Sequence, residues 1–244
     1  MKKIVFIFFL SFSTYPFFAQ TIGEFFVFLP DQHLILLNSA QRMELINDAL
    51  NKKDSTVLNS YGGRSKLLIF DADNHHIKVQ TSRQGFFEVK KWTLGDSVSL
   101  FATNTWVCSP ACDGAIQFLK SNYTPLHATG NLLPEITISD FLNKDSIAAR
   151  DLLEEDVKNK FDLFFIYYEF LPAENDILAI NDNEKYMNSE DYKKLKPCLA
   201  GNALRLTWNG KRFEKGKAYF KEPEFSDIMD EKSIINDSVE EEEE

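Results

Sequence analysis

Cys108 and Cys112 stand at the two shoulders of a turn in the stretch TWVCSPACDGAIQFLKSNYTPL, Thr105 to Leu126. Cysteines this close can bridge to each other, stay as free thiols, or carry redox or metal chemistry. A redox pair wants Cys-x-x-Cys at a helix start within a βαβ unit. Here Ser109, Pro110 and Ala111 intervene and the flanks alternate like strands, so a structural disulfide is the leading expectation. Two residues facing each other across a hairpin are at bridging separation. A loop this short gains only about 2 kcal/mol from loop entropy, which makes the bridge a local staple. Cys198 is left over just after Pro197, and it reads as a buried free thiol.

Carboxylates come next. Leu67 to His76, LLIFDADNHH, places Asp71 and Asp73 after an apolar strand, as haloacid-dehalogenase-type phosphatases do. Those enzymes also need a supporting Lys and further acidic residues within alternating βα units, and no such units follow. A strand-to-strand turn explains the same residues, because Asp and Asn side chains cap turns. His75 and His76 are adjacent, and adjacent strand positions point to opposite faces, so one metal ion cannot easily take both. His33 and His127 are distant in sequence, and solvated histidine is the expectation for the pair. Tyr61 to Ser65, YGGRS, lacks the spacing of a phosphate loop and reads as a helix-to-strand connection. Neither a Gly-x-Ser-x-Gly elbow nor an outstanding carboxylate pair is present. Phe164, Phe165, Tyr167, Tyr168 and Trp208 read as core and sheet-face packing. No catalytic residue, metal ligand or cofactor site is assigned from these patterns.

The elements that would position these residues follow from periodicity. Thr21 to Glu24 is a capping box opening a short helix with Phe25, Phe26, Phe28 and Leu29. Asn38 to Gln41 caps a second helix, in which Met43, Ile46 and Leu50 recur at helical spacing. From Lys66 the period becomes two. Leu67 to Phe70, Ile77 to Thr81, Phe87 to Val89, Val98 to Trp106 and Ile116 to Phe118 alternate as half-wet strands joined by short turns, one of them at Leu94 to Asp96. Without crossover helices the sheet should be an antiparallel meander. Leu132 to Asn143 reads as a loop with a short helix, and Asp145 to Lys160 as one charged helix contacting the core through Leu152, Leu153 and Val157. Phe164 to Phe170 and Ile177 to Ile180 are strands, Asn188 or Ser189 caps a helix stopped by Pro197, and Asn209-Gly210 marks a type I′ hairpin between Trp208 and Phe213.

At 244 residues the chain fits one domain that can bury a core. Its net charge of −10 argues against nucleic acid and anionic membrane surfaces, which are bound through clustered Lys and Arg. Met1 to Gln20 has a basic start, an apolar run from Ile4 to Phe12 and a cleavage position after Ala19, the layout of a secretory signal peptide. No later segment is long and apolar enough for a transmembrane helix. Past Lys215 the pattern dissolves into charges ending in Glu240 to Glu244, as in a solvating acidic tail. The expected organisation is a signal peptide over 1–19, one domain over 20–215 and an acidic tail over 216–244.

Four stretches resemble one family, the secreted proteins gathered as domain of unknown function 3256, typical of Bacteroidales. They are FLPDQHLILLNSAQRMELIND (Phe28 to Asp48), CDGAIQFLKSNYTPL (Cys112 to Leu126), LLPEITISDFL (Leu132 to Leu142) and LKPCL with LTWNGKRF (Leu195 to Phe213). These are turns and apolar anchors, and the resemblance implies no activity.

The fold class expected is α+β: two leading helices, an antiparallel meander sheet covered by helices on one face, and an arrangement suggestive of two similar halves. The leading functional expectation is a non-enzymatic periplasmic or cell-envelope binding module with a protein or envelope partner. The alternatives are a carboxylate-based hydrolase of glycan or phosphate substrates and a small-ligand or lipid carrier.

Overall fold

The computed structural model describes residues 20–93, 99–126 and 132–221. The expected signal peptide, the turn at Leu94 to Asp96, His127 and the acidic end beyond Lys221 lie outside these residues. The architecture is α+β with leading helices, as expected, but it holds two antiparallel sheets. Helices α1 (Ile22–Phe28) and α2 (Ser39–Leu50) lead. Strands β1 (Thr56–Leu58), β2 (Arg64–Asp71), β3 (His76–Gln80), β4 (Gly85–Thr93), β5 (Ser99–Cys108) and β6 (Cys112–Leu119) follow, paired in sequence order into a six-stranded meander. The second half supplies β7 (Ile166–Phe170), β8 (Ile177–Asn181), β9 (Ala203–Trp208) and β10 (Phe213–Tyr219), a four-stranded sheet in the order β10-β9-β8-β7.

Both leading helices start where their side chains say they should. Thr21 accepts from the Glu24 N–H while Glu24 accepts from the Thr21 N–H, and Asn38 and Gln41 make the same reciprocal pair. The helices lay Phe25, Phe26, Leu45 and Ile46 against Ile77, Val79, Phe87, Val89 and Phe101 of the first sheet. Phe25 stacks on Phe101 with ring centroids 3.8 Å apart. Phe28 points away and is exposed.

The other face of the first sheet is not wet. Trp92, Leu100, Ala102 and Phe118 pack against Tyr168, Phe170, Ile177, Ala179, Leu204, Leu206 and Phe213 of the second sheet. The first sheet is thus a middle layer buried on both sides. This overturns the expectation of solvated histidines at the DADNHH turn: His76 is fully buried between the sheets, and only His75 stays partly exposed.

Three further local readings are corrected. The segment expected as one helix over Asp145 to Lys160 is two short helices, Lys144–Ala148 and Glu154–Lys158. Asp151 adopts φ 54°, and the Leu152 N–H bonds back to the Ile147 carbonyl, a left-handed cap that ends the first helix. Leu152 and Leu153, expected as core contacts, are exposed as a result. The Tyr61 to Ser65 loop joins two strands, because Thr56–Leu58 pairs with Arg64 to Lys66. Buried Asn59 organises it, accepting from the Tyr61 and Gly63 N–H groups and donating to Ser65 and the Thr81 carbonyl. At the last hairpin Trp208 pairs with Phe213, leaving Asn209 to Arg212 as the connection. Gly210 is at φ 92° while Asn209 is not at positive φ, so the type I′ turn does not form.

Candidate binding cleft

Cys108 and Cys112 face each other in register at the tip of the β5–β6 hairpin and are bonded, with S–S 2.01 Å and Cα–Cα 3.8 Å. Cys198 is free and buried. Asp71 accepts from the backbone and side-chain amides of Asn74, which lowers its carboxyl below the ordinary range and closes the β2–β3 turn. Among the described residues no group of three or more His, Cys, Asp or Glu could hold a metal ion. No helix among them is long and apolar enough to cross a membrane.

The face of the first sheet turned toward the second carries a set of buried polar side chains, Glu88, Lys90 and Asn104 among them, that were not singled out from sequence. Glu88 accepts from Asn104 Nδ2 and from the Phe170 N–H, each at 3.1 Å. Asn104 Nδ2 also donates to the Tyr168 carbonyl at 2.6 Å. Lys90 Nζ donates to the carbonyls of Leu171 and Pro172, and Trp92 Nε1 to that of Asn175. Burial pulls the Lys90 ammonium down to about 8, against the opposing pull of Asp71, Glu88 and Asp176. His76 Nε2 lies 3.5 Å from Glu88 Oε1 and makes no hydrogen bond. These groups satisfy the unpaired edge of β7 and the turn after it. They bolt sheet to sheet.

A hollow with a volume of about 670 Å³ lies elsewhere, beside the second sheet. One wall is the segment entering β7, with Lys160, Asp162 and Leu163; the other is the pair of short helices Asn183–Tyr186 and Ser189–Leu195. Asn183 ties the walls together. Its Nδ2 donates to the Leu163 carbonyl at 2.6 Å, and its Oδ1 accepts from the Phe165 N–H at 3.1 Å. Tyr186 leans on Phe165 with ring centroids 4.7 Å apart, and about half of its surface remains open, as does that of Leu163. Asn188 caps the second helix at the Glu190 N–H, and Asp191 pairs with Lys194 at 3.4 Å. Tyr192, on the inward side of that helix, is held above the ordinary phenol range by burial. Beside the cleft, Asp182 Oδ2 accepts from the Cys112 N–H at 2.7 Å, and burial raises its carboxyl above the ordinary range.

None of the cleft residues was singled out from sequence except Asn188, as a cap. Leu163 and Tyr186 lie in segments too short for periodicity to mark a face. The only local signal was the cap-and-stop pattern of Asn188 and Pro197, which places a helix without saying that it bounds a hollow.

Comparison with known proteins fits this picture. No curated protein matches the chain. A solved structure described as a domain of an uncharacterized protein from Porphyromonas gingivalis W83 is similar over 81% of this chain and 100% of its own, with a TM-score of 0.65 and 18% sequence identity. That likeness is one of fold. A family model covers residues 14–213, taking in the first sheet, the disulfide hairpin, the cleft and the second sheet up to the first residue of β10, and the chain therefore belongs to the family described as Protein of unknown function (DUF3256).

Proposed function

We infer that this chain is an exported, non-enzymatic binding module of the cell envelope, and that the cleft between Leu163 and Tyr186 receives a segment of a partner protein. The observation carrying this reading is the cleft itself: about 670 Å³ with two half-open apolar side chains on its rim. Its dimensions are those of a ligand site, and exposed Leu and Tyr at a hollow suit a protein partner. Of the polar groups lining it, Asn183 is bound to the backbone of the opposite wall and Asp191 pairs with Lys194. Export is supported by the basic-then-apolar start of the chain and by the Cys108–Cys112 bond, which suits an oxidising compartment.

A photo-crosslinking residue placed at Tyr186 in the native envelope tests the reading. The same partner band should appear with the Tyr186 probe, disappear when Leu163→Asp is added, and be absent with a probe at Met43 on α2. Equal capture from both positions overturns the cleft as the binding surface. Turnover of a glycan or phosphate ester that is abolished by Asp162→Asn or Asp191→Asn overturns the non-enzymatic reading.

A further inference from the structure

The disulfide and the cleft are far apart in sequence, yet one short path of bonds joins them. Cys112 donates its N–H to Asp182 at 2.7 Å, in a site closed to solvent. Asp113, the next residue, accepts from the Ile166 N–H at 3.4 Å. The tip of the β5–β6 hairpin is therefore attached both to the start of β7 and to the end of β8. Asp182 donates its own N–H to the Phe165 carbonyl at 3.1 Å and accepts from the Lys185 N–H at the same distance. Asn183 follows directly, and its side chain holds Leu163 and Phe165. Above the tip, Trp106 stacks between Phe86 and Tyr167, with centroids 5.2 and 6.2 Å away. Each wall of the cleft thus has an anchor on the hairpin. The β5–β6 ladder runs up to Cys108 and Cys112, but beyond it the tip has a single backbone bond, Ser109 N–H to the Ala111 carbonyl, so the covalent bond is the main closure of the turn itself.

We propose that the Cys108–Cys112 hairpin braces the cleft, acting through Asp182 and Asn183, so that opening the disulfide loosens both cleft walls while the first sheet and its helices keep their structure. This device concerns the same cleft as the binding reading above and rests on it for its biological use. The structural claim stands or falls separately, because its test needs no partner.

The test is hydrogen exchange followed by mass spectrometry on the full chain, oxidised and after treatment with a phosphine reductant. Amides of residues 163–166 and 183–195 should exchange about tenfold faster or more after reduction, while those of β3 and β4 hold their rates. Cys108→Ser with Cys112→Ser should reproduce the pattern without reductant. Asp182→Ala, with the disulfide intact, should loosen residues 183–195 alone, whereas Asp182→Asn, which keeps an acceptor for the Cys112 N–H, should leave exchange near the wild-type rate. Faster exchange confined to residues 108–112, or spread evenly over both sheets, overturns the brace. If exchange responds as described but the Tyr186 probe captures nothing, the brace stands and the partner reading falls.

Discussion

Lys90 sits fully buried between two sheets, and its charge is sustained there by two carbonyls and by carboxylates farther off. Because its folded value lies near 8, below the 10.5 of the free side chain, the unfolded chain holds the extra proton between these values. Stability contributed at this site therefore rises as pH climbs from about 8 toward 10.5, and is at its lowest below 8. Urea titrations of wild type and Lys90→Met at a series of pH values should show the difference moving in favour of the wild type over that window; a difference independent of pH would contradict the assignment. Neighbouring Asn104 donates to both the Tyr168 carbonyl and Glu88, so Asn104→Ala takes one donor from each of two buried acceptors and should cost about 1–3 kcal/mol in the same assay. Thr105→Ala, one residue along on an exposed position, should cost close to nothing. Neither buried group was legible in the sequence. Polar residues at every second position look the same whether they meet water or the backbone of another layer, because alternation reports that two faces differ and not what covers them.

Local elements were readable where the bonds that define them are local. The capping boxes at Thr21 and Asn38 involve residues three apart and form as read. The helix over Asp145 to Lys160 was misread because its end depends on Asp151 entering the left-handed region, a conformation that Asp tolerates and that no apolar periodicity announces. The separation into two sheets depends on packing between distant halves, which no local pattern encodes. Sheet edges show how such packing is enforced. The Leu58 carbonyl of β1 is taken by Gln41, and β7 is met by Glu88 and Asn104. Strand β10 carries an irregularity between Lys215 and Ala218 and exposed lysines at 215 and 217, devices that discourage edge-to-edge pairing. Its far end is pinned at Gly201, where an added Cβ would collide with the Tyr219 backbone. Gly201→Ala should push the end of β10 off β9 and lower stability by about 1–3 kcal/mol, read by urea denaturation; an unchanged midpoint would mean that this close approach is not needed.

Whole-molecule behaviour turns on where β10 ends and where the charge lies. The alternating pattern fades at Lys215, but β10 runs on to Tyr219, and its Ala218 and Tyr219 pair with Leu204 and Ala203 of β9. The Lys221 N–H then bonds Asn202, and its ammonium meets Glu169 at 2.9 Å. Beyond it, residues 222–244 hold eleven acidic side chains and one lysine, so the net charge of −10 belongs entirely to this terminal stretch. Residues 1–221 are neutral overall, with 26 Lys and Arg against 26 Asp and Glu. Two truncations test whether charge and stability are separable. A chain ending at Lys221 should keep the full-length Tm within about 2 °C while leaving an anion-exchange column at much lower salt. A chain ending at Lys215 loses four paired or edge-covering residues of β10 together with the Lys221–Glu169 contact, and its Tm should fall by about 5 °C or more. Equal Tm values for the two truncations would place the end of the cooperative unit at Lys215. A fall in Tm on removing only the acidic stretch would mean that this stretch stabilises the fold through its charge, and it should then fade as salt is raised, since exposed charges are screened within about 10 Å at 0.1 M.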